Sequence, residues 1–398
     1  MPQRVREALQ KSDSSLLLST LAEGFLEGVP AREFAEEGLK FLLQASEWDL
    51  QGARWTHAFL CLEAARSLSL GGPEELARPA VASALAFLDG SRPTRGRPLE
   101  PNLLGEDPSR LEDWVYVGDL RRAESALIAL LPEADFEKRW FNLALSNLEG
   151  WGHRALTGLA CWRLEQALQV EPGWFLRAGL RQWLPWEEDR TANSSVAERC
   201  SSWGAMPSRE EEQGVWIANK VLQGVGAEAV AHGLECGWSS EPVIDGILRS
   251  ACRIFAALPE LRQLHGVTVG RAYAESVLHH GAAAKTALPQ LAGFVGDGWR
   301  MAQRSRRIMP GQEKPELGAA GPIAEPGIDV SLCCREATPN FGHLIKLVDA
   351  VRALPSLMTE DGGARWGGDV LRAAQRTATP YRRVWATVSR QIAGAAQD

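Results

Sequence analysis

Apolar residues recur at helical spacing through most of this chain, and strand-like alternation is scarce, which narrows the fold sharply. Two amphipathic helices are expected within residues 1–45, SSLLLSTLAEGFL and AREFAEEGLKFLLQ, parted by the turn-like EGVPA. A third runs from about Gln51 to Leu70 and stops at Gly71-Gly72-Pro73, and EELARPAVASALAFL follows it. Helical pattern resumes at about Leu111, and again from near Gly150 to Val170, before Glu171-Pro172-Gly173. Further on come EEQGVWIANKVLQGV, EPVIDGILRSACRIFAAL, a helix from about Pro259 to His280, one opening at His343, and a last segment, GGDVLRAAQRTATPYRRVWATVSRQIAG. No βαβ alternation is visible, so the expectation is an all-α fold, a single large helical domain over residues 1–398 with long irregular loops. Those loops are DGSRPTRGRPLEPNLLGEDPS, the Trp-rich turns of 174–210, and residues 304–337, a length that suits a lid, a binding loop or an insert.

Four of the helical stretches carry a histidine at or near their start: His57, His153, His265 and His343. Seven residues after each, on the same helix face, stands an alanine: Ala64, Ala160, Ala272 and Ala350. A small residue lets neighbouring backbones approach while the imidazoles point into the gap. Lys346 lies three residues after His343, on the same side of its helix, in a chain with only seven lysines. The pattern suggests that these helices converge and that the five side chains hold one metal ion. Imidazole suits iron, zinc, copper and nickel, and helical bundles build metal sites from inward-facing side chains. A lone histidine on an apolar face is, however, more often a hydrogen-bonded core residue, and a lysine there often snorkels to solvent. Familiar local signals are missing, with no HExxH, no ExxH pair and no Cys/His knuckle. The spacing between the four histidines is uneven, which argues against a solenoid. His232, His279 and His280 read as surface or helix-end residues.

The net charge of −7 argues against a nucleic-acid-binding surface. No apolar run approaches a membrane span and the N-terminus shows no signal-peptide pattern, so a cytoplasmic protein without a membrane partner is expected. Seven cysteines without a CxxC pair fit a reducing compartment. Fifteen tryptophans against three tyrosines would suit the walls of an aromatic-binding cavity, although burial in a helical core accounts for most of them equally well. Glycine-rich DGGARWGGD lacks the strand–helix setting of a nucleotide loop, so no NADPH site is assigned from it.

The four stretches resemble those of the questin oxidase family. Thr56-His57-Ala58-Phe59, Gly152-His153-Arg154-Ala155-Leu156, His265-Gly266-Val267-Thr268 and His343-Leu344-Ile345-Lys346 are similar to family motifs and occur in the family's order. The tract Asp113-Trp114-Val115-Tyr116-Val117-Gly118-Asp119 resembles its W…LGD segment, and together these anchors span about residues 50–355. The chain departs from the family in its Pro-rich loops, in 174–210 and in 304–337, so no substrate identity carries over.

The resemblance implies an oxidoreductase of secondary metabolism that uses O2 to oxidise and ring-cleave a polycyclic aromatic or quinone-like molecule. It implies Fe(II) as cofactor, with His57, His153, His265 and His343 as imidazole ligands and Lys346 as a carboxylated lysine. A metal-free or NADPH-dependent Baeyer–Villiger-type monooxygenase is the alternative chemistry, and a non-enzymatic helical scaffold the alternative class. Tyr116 and Asp119 are the candidate catalytic residues, lining the substrate cavity with Trp114 and with Tyr116 placed to polarise a carbonyl; the alternative, more often met for such a stretch, is a core Trp and Tyr beside a helix start. Thr268 either meets substrate or bonds back to its own helix. Glu63 and Asp349, six residues after their histidines, are either acceptors for imidazole N–H groups or solvated charges.

Overall fold

The computed structural model describes residues 2–44, 53–91, 105–168, 170–183, 206–304, 342–358, 362–377 and 383–395. Among them the fold is all α, with no strand. The loop expected at 304–337, from 305 on, and most of those expected at 89–109 and 174–210 lie outside the described residues.

Four helices form the centre: α4 (Ala53–Gly71), α9 (Glu149–Ala167), α14 (Leu261–His280) and α16 (His343–Leu357). They close a ring, α4 packing on α9, α9 on α14, α14 on α16, and α16 back on α4. The other helices make an outer layer. α3 (Ala31–Gln44) and α5 (Glu74–Ser91) cover α4, while α8 (Phe136–Ala144) and α10 (Trp174–Trp183) cover α9. α13 (Ser240–Ala257) and α15 (Ala284–Arg304) flank α14, and α17 (Gly362–Thr377) lies on α16. At one end α1 (Pro2–Lys11), α2 (Ser14–Leu26) and α18 (Arg383–Ala395) pack around α3 and α5. At the other, α11 (Glu210–Leu222) and α12 (Gly226–Glu235) pack on α13 and α15.

The ring helices are not ordinary amphipathic surface helices. Every residue of α14 from Gln263 to Val277 is buried, and its polar residues are spread around its circumference rather than kept to one side. A helix buried all round is a core helix, and its polar residues then require partners inside the protein. α14 ends at Gly281, which takes the left-handed conformation that closes a helix, with φ +68°.

Two glycines set how closely the ring can draw together, and each immediately precedes a histidine. Gly152 has φ +76°, and a Cβ on it would lie 2.7 Å from both Cγ atoms of Val269 on α14. Gly342 has φ +70°, and a Cβ there would lie 2.4 Å from Cys61 Sγ on α4. Both positions combine left-handed backbone with contact against the neighbouring helix, so only glycine fits. Each fixes the start of its helix, and therefore the imidazole that follows.

The continuous helical pattern read from Leu111 onward resolves into α6 (Leu111–Tyr116), α7 (Leu120–Leu130) and α8. Gly118, at φ +75°, ends the first, and Asp119 caps the second by accepting a hydrogen bond from Arg122 N. Trp174–Trp183, expected within a region of turns, is α10, with Phe175, Leu176, Ala178, Leu180 and Trp183 buried.

Candidate metal centre

The ring of helices brings the four predicted histidines together. One ring nitrogen from each of His57, His153, His265 and His343 falls within 4.8 Å of all the others. The imidazoles follow one another around the ring as the helices do. Their centroids are 4.6 Å apart for His57–His153, 4.9 Å for His153–His265, 4.8 Å for His265–His343 and 4.7 Å for His57–His343. His153 Nε2 is 3.1 Å from His57 Nε2, and His265 Nε2 is 2.9 Å from His343 Nε2.

Those two edges suit a shared ion. Ligands at roughly 2.1 Å, the usual metal–imidazole bond, stand about 3.0 Å apart at adjacent corners of an octahedron and about 3.4 Å apart in a tetrahedron. Both observed edges match the octahedral spacing. Protonation is equally favourable: burial holds His265 well below the ordinary imidazole range, and the neighbouring His153 and His343 lower it further. A neutral imidazole is the form that ligates. His265 is 1% exposed, His343 2% and His57 8%, whereas His153 is only half-buried and marks the side nearest solvent.

Lys346 is buried on α16 and its Nζ has no hydrogen-bond partner. It does not snorkel. Burial lowers its pKa to about 7, opposed only by Cys61. It lines a cavity of about 30 Å³ between the four helices, which has room for about two water molecules. Ala64, Ala160 and Ala350 form part of the wall, so three of the four spaced alanines create this space, while Ala272 is fully buried in the core. The four imidazoles form a donor set that a divalent transition metal would accept, and Lys346 stands about one helical turn along α16 from His343.

Beneath Lys346 lies a charged layer, in which the sequence reading named Glu63 and Asp349 but not their partners Arg163, Arg271 and Glu275. Arg271 donates to Asp349 and, at 2.7 Å, to Glu275. Arg163 donates to Glu275 at 2.6 Å and stands 3.7 Å from Glu63 and 3.8 Å from Asp349. Burial acts to raise Asp349, but Arg271 and Arg163 outweigh it and hold the carboxyl below its usual range. Glu63 goes the other way, since burial raises it more than Arg163 lowers it. Neither carboxylate is a solvated charge, at 5% exposure for Glu63 and 4% for Asp349. The signal was legible: Glu63, Arg271 and Asp349 each directly precede one of the spaced alanines.

Other candidates take different places. Asp119 is spent on capping α7 and pairs with Arg122 at 3.7 Å, and Tyr116, at the end of α6, is 46% exposed. The structure therefore does not bring Tyr116 or Asp119 into the histidine cluster, because Gly118 turns the chain there into a surface helix start. Thr268 bonds back to the carbonyls of Leu264 and His265 at 3.4 and 3.5 Å. His280 stacks on Phe141 with centroids 4.2 Å apart and pairs with Glu137, and His232 is in the last turn of α12. Among the described residues no helix is long and apolar enough to cross a membrane.

In comparisons with known proteins, no family model matches the chain, and no curated protein or solved structure matches it either.

Proposed function

We propose that this chain is a non-haem iron oxygenase, one that uses O2 to oxidise and ring-cleave a flat polycyclic aromatic or quinone-like small molecule, a reading drawn from the resemblance of its histidine stretches to the questin oxidase family, which includes such an enzyme. The observation that carries this reading is the meeting of four imidazoles from four separate helices around one point. His57, His153, His265 and His343 would hold the iron, and Lys346 would complete the set. Lys346 is suited to carboxylation because its amine is substantially neutral near pH 7. The nitrogen adds to the carbon of carbon dioxide and gives up one proton, leaving a carbamate with oxygen donors.

When bound, Fe(II) supplies the electrons and Lewis acidity that dioxygen chemistry requires. The chain supplies the rest. Burial of His57, His265 and His343 keeps bulk water from three sides of the centre. Arg163 and Arg271, paired with Glu275 and Asp349, hold α9, α14 and α16 in register below it. Buried polar networks of this kind fix orientation at the cost of desolvation. A reducing cytoplasm suits the buried thiols of Cys61, Cys161 and Cys252.

The test is metal analysis and oxygen uptake on protein purified without chelator. The reading expects about one iron per chain, the capacity of a single imidazole cluster, and its loss in His265→Ala together with oxygen uptake. Metal-free protein that consumes oxygen at full rate, with or without NADPH, overturns it in favour of a Baeyer–Villiger-type monooxygenase. Metal-free protein that consumes none, and tolerates all four His→Ala changes, points to a binding scaffold.

A further inference from the structure

Trp151 occupies a conformation that calls for an explanation. It lies in the first turn of α9 with φ +62°, and Ser12 is the only other non-glycine residue with positive φ among the described residues. Gly152 follows at φ +76°, so two successive residues are left-handed. Glycine adopts this readily, but a bulky aromatic residue there is strained. Such strain persists only where something else is gained, and burial is not the gain. Trp151 is 41% exposed, one of the few large apolar side chains left open.

Its position supplies the reason. The Trp151 indole meets the His265 imidazole edge to face, with centroids 5.5 Å apart and planes at 73°. Two residues later His153 is the one half-buried member of the cluster. The backbone kink thus holds an exposed indole beside the metal centre, on its least covered side. An indole face is a broad, sequence-independent platform for another flat π system.

We propose that Trp151 is the aromatic wall of the substrate site, a specificity-determining residue that stacks on the flat ring system of the substrate beside the metal centre. This rests on the oxygenase reading above and narrows it: the substrate must present a planar aromatic face, and saturated ring compounds are discriminated against. The left-handed backbone at Trp151 and Gly152 aims the indole, and Gly152 cannot be replaced without striking Val269.

The test uses full-length protein loaded with zinc, so that binding is read without turnover, and anthraquinone-2-sulfonate as the probe in isothermal titration. Trp151→Ala is expected to weaken probe binding roughly 5- to 100-fold, the range for loss of one stacked aromatic, and Trp151→Phe to keep it within about 3-fold. Zinc content should be unchanged in both. Trp151→Gly separates this role from a structural one: it relieves the strained φ, so its melting temperature should not fall although its probe binding does. Unchanged probe affinity in Trp151→Ala with full zinc content overturns the proposal and leaves the metal centre standing. Loss of zinc in Trp151→Ala also overturns it, by making the indole a support of the cluster. Wild-type protein that carries its zinc but fails to bind the probe overturns both the wall and the aromatic substrate class. Failure to hold zinc at all overturns the metal centre itself.

Discussion

Replacing Lys346 with methionine should stabilise the metal-free protein. The wild-type amine is buried without a hydrogen-bond partner, and burial brings its pKa from 10.5 to about 7. Between those values the unfolded chain binds a proton that the folded chain lacks, so stability rises with pH through this window. The penalty is fully present below the folded value, shrinks as pH rises from 7, and is gone above 10.5. At about 1.36 kcal/mol per unit, the buried amine costs about 4 kcal/mol at pH 7 and about 2 kcal/mol at pH 9. Methionine matches the lysine stem in length and carries no charge, so it removes this cost. For a chain of 398 residues, unfolding entropy of about 0.8 kcal/mol/K converts the gain to roughly 5 °C at pH 7 and 2–3 °C at pH 9. The assay is thermal unfolding of chelator-treated protein in carbon dioxide-depleted buffer, wild type against Lys346→Met, at both pH values. Cys61, which burial pushes up to about 12, is common to both proteins, so the difference between them reports on Lys346. A variant less stable than wild type at pH 7, or a gap equal at the two pH values, refutes the reasoning.

Two further outcomes follow from the packing. Arg271→Met takes from Asp349 its closest cation and leaves both Asp349 and Glu275 to Arg163 alone, so it should cost about 3 kcal/mol in chemical denaturation, as breaking a buried pair from one side does; adding Asp349→Asn should restore part of that loss, and strict additivity would show that the two do not interact. Gly342→Ala meets both a left-handed φ and Cys61, so a loss of about 2–4 kcal/mol is expected, with weaker metal retention because His343 is the next residue; a variant as stable as wild type would show that α4 and α16 are not in close contact there.

Much of this was legible in the sequence. Helical periodicity gave the ring helices to within a few residues, because α4, α9, α14 and α16 are long and end at strong breakers such as Gly71-Gly72-Pro73 and Gly281. The His–Ala spacing pointed to convergence, and the imidazoles do converge. Subdivision of the Leu111–Gly150 pattern was missed because the apolar period carries on across Gly118, where only the local turn reveals the break. The pairing of Glu63 and Asp349 with Arg163 and Arg271 was missed for a different reason. Each member looks like a face charge on its own helix, and only the four-helix ring turns those faces inward. Of the two readings of the Tyr116 and Asp119 tract, the helix boundary is the one seen, with Gly118 ending one helix and Asp119 capping the next.

The most direct measurement is anomalous scattering at the iron edge from crystals of protein purified without chelator. The account predicts a single peak about 2 Å from one nitrogen of each of His57, His153, His265 and His343. Well-ordered imidazoles bonded only to one another, with no peak between them, would contradict it.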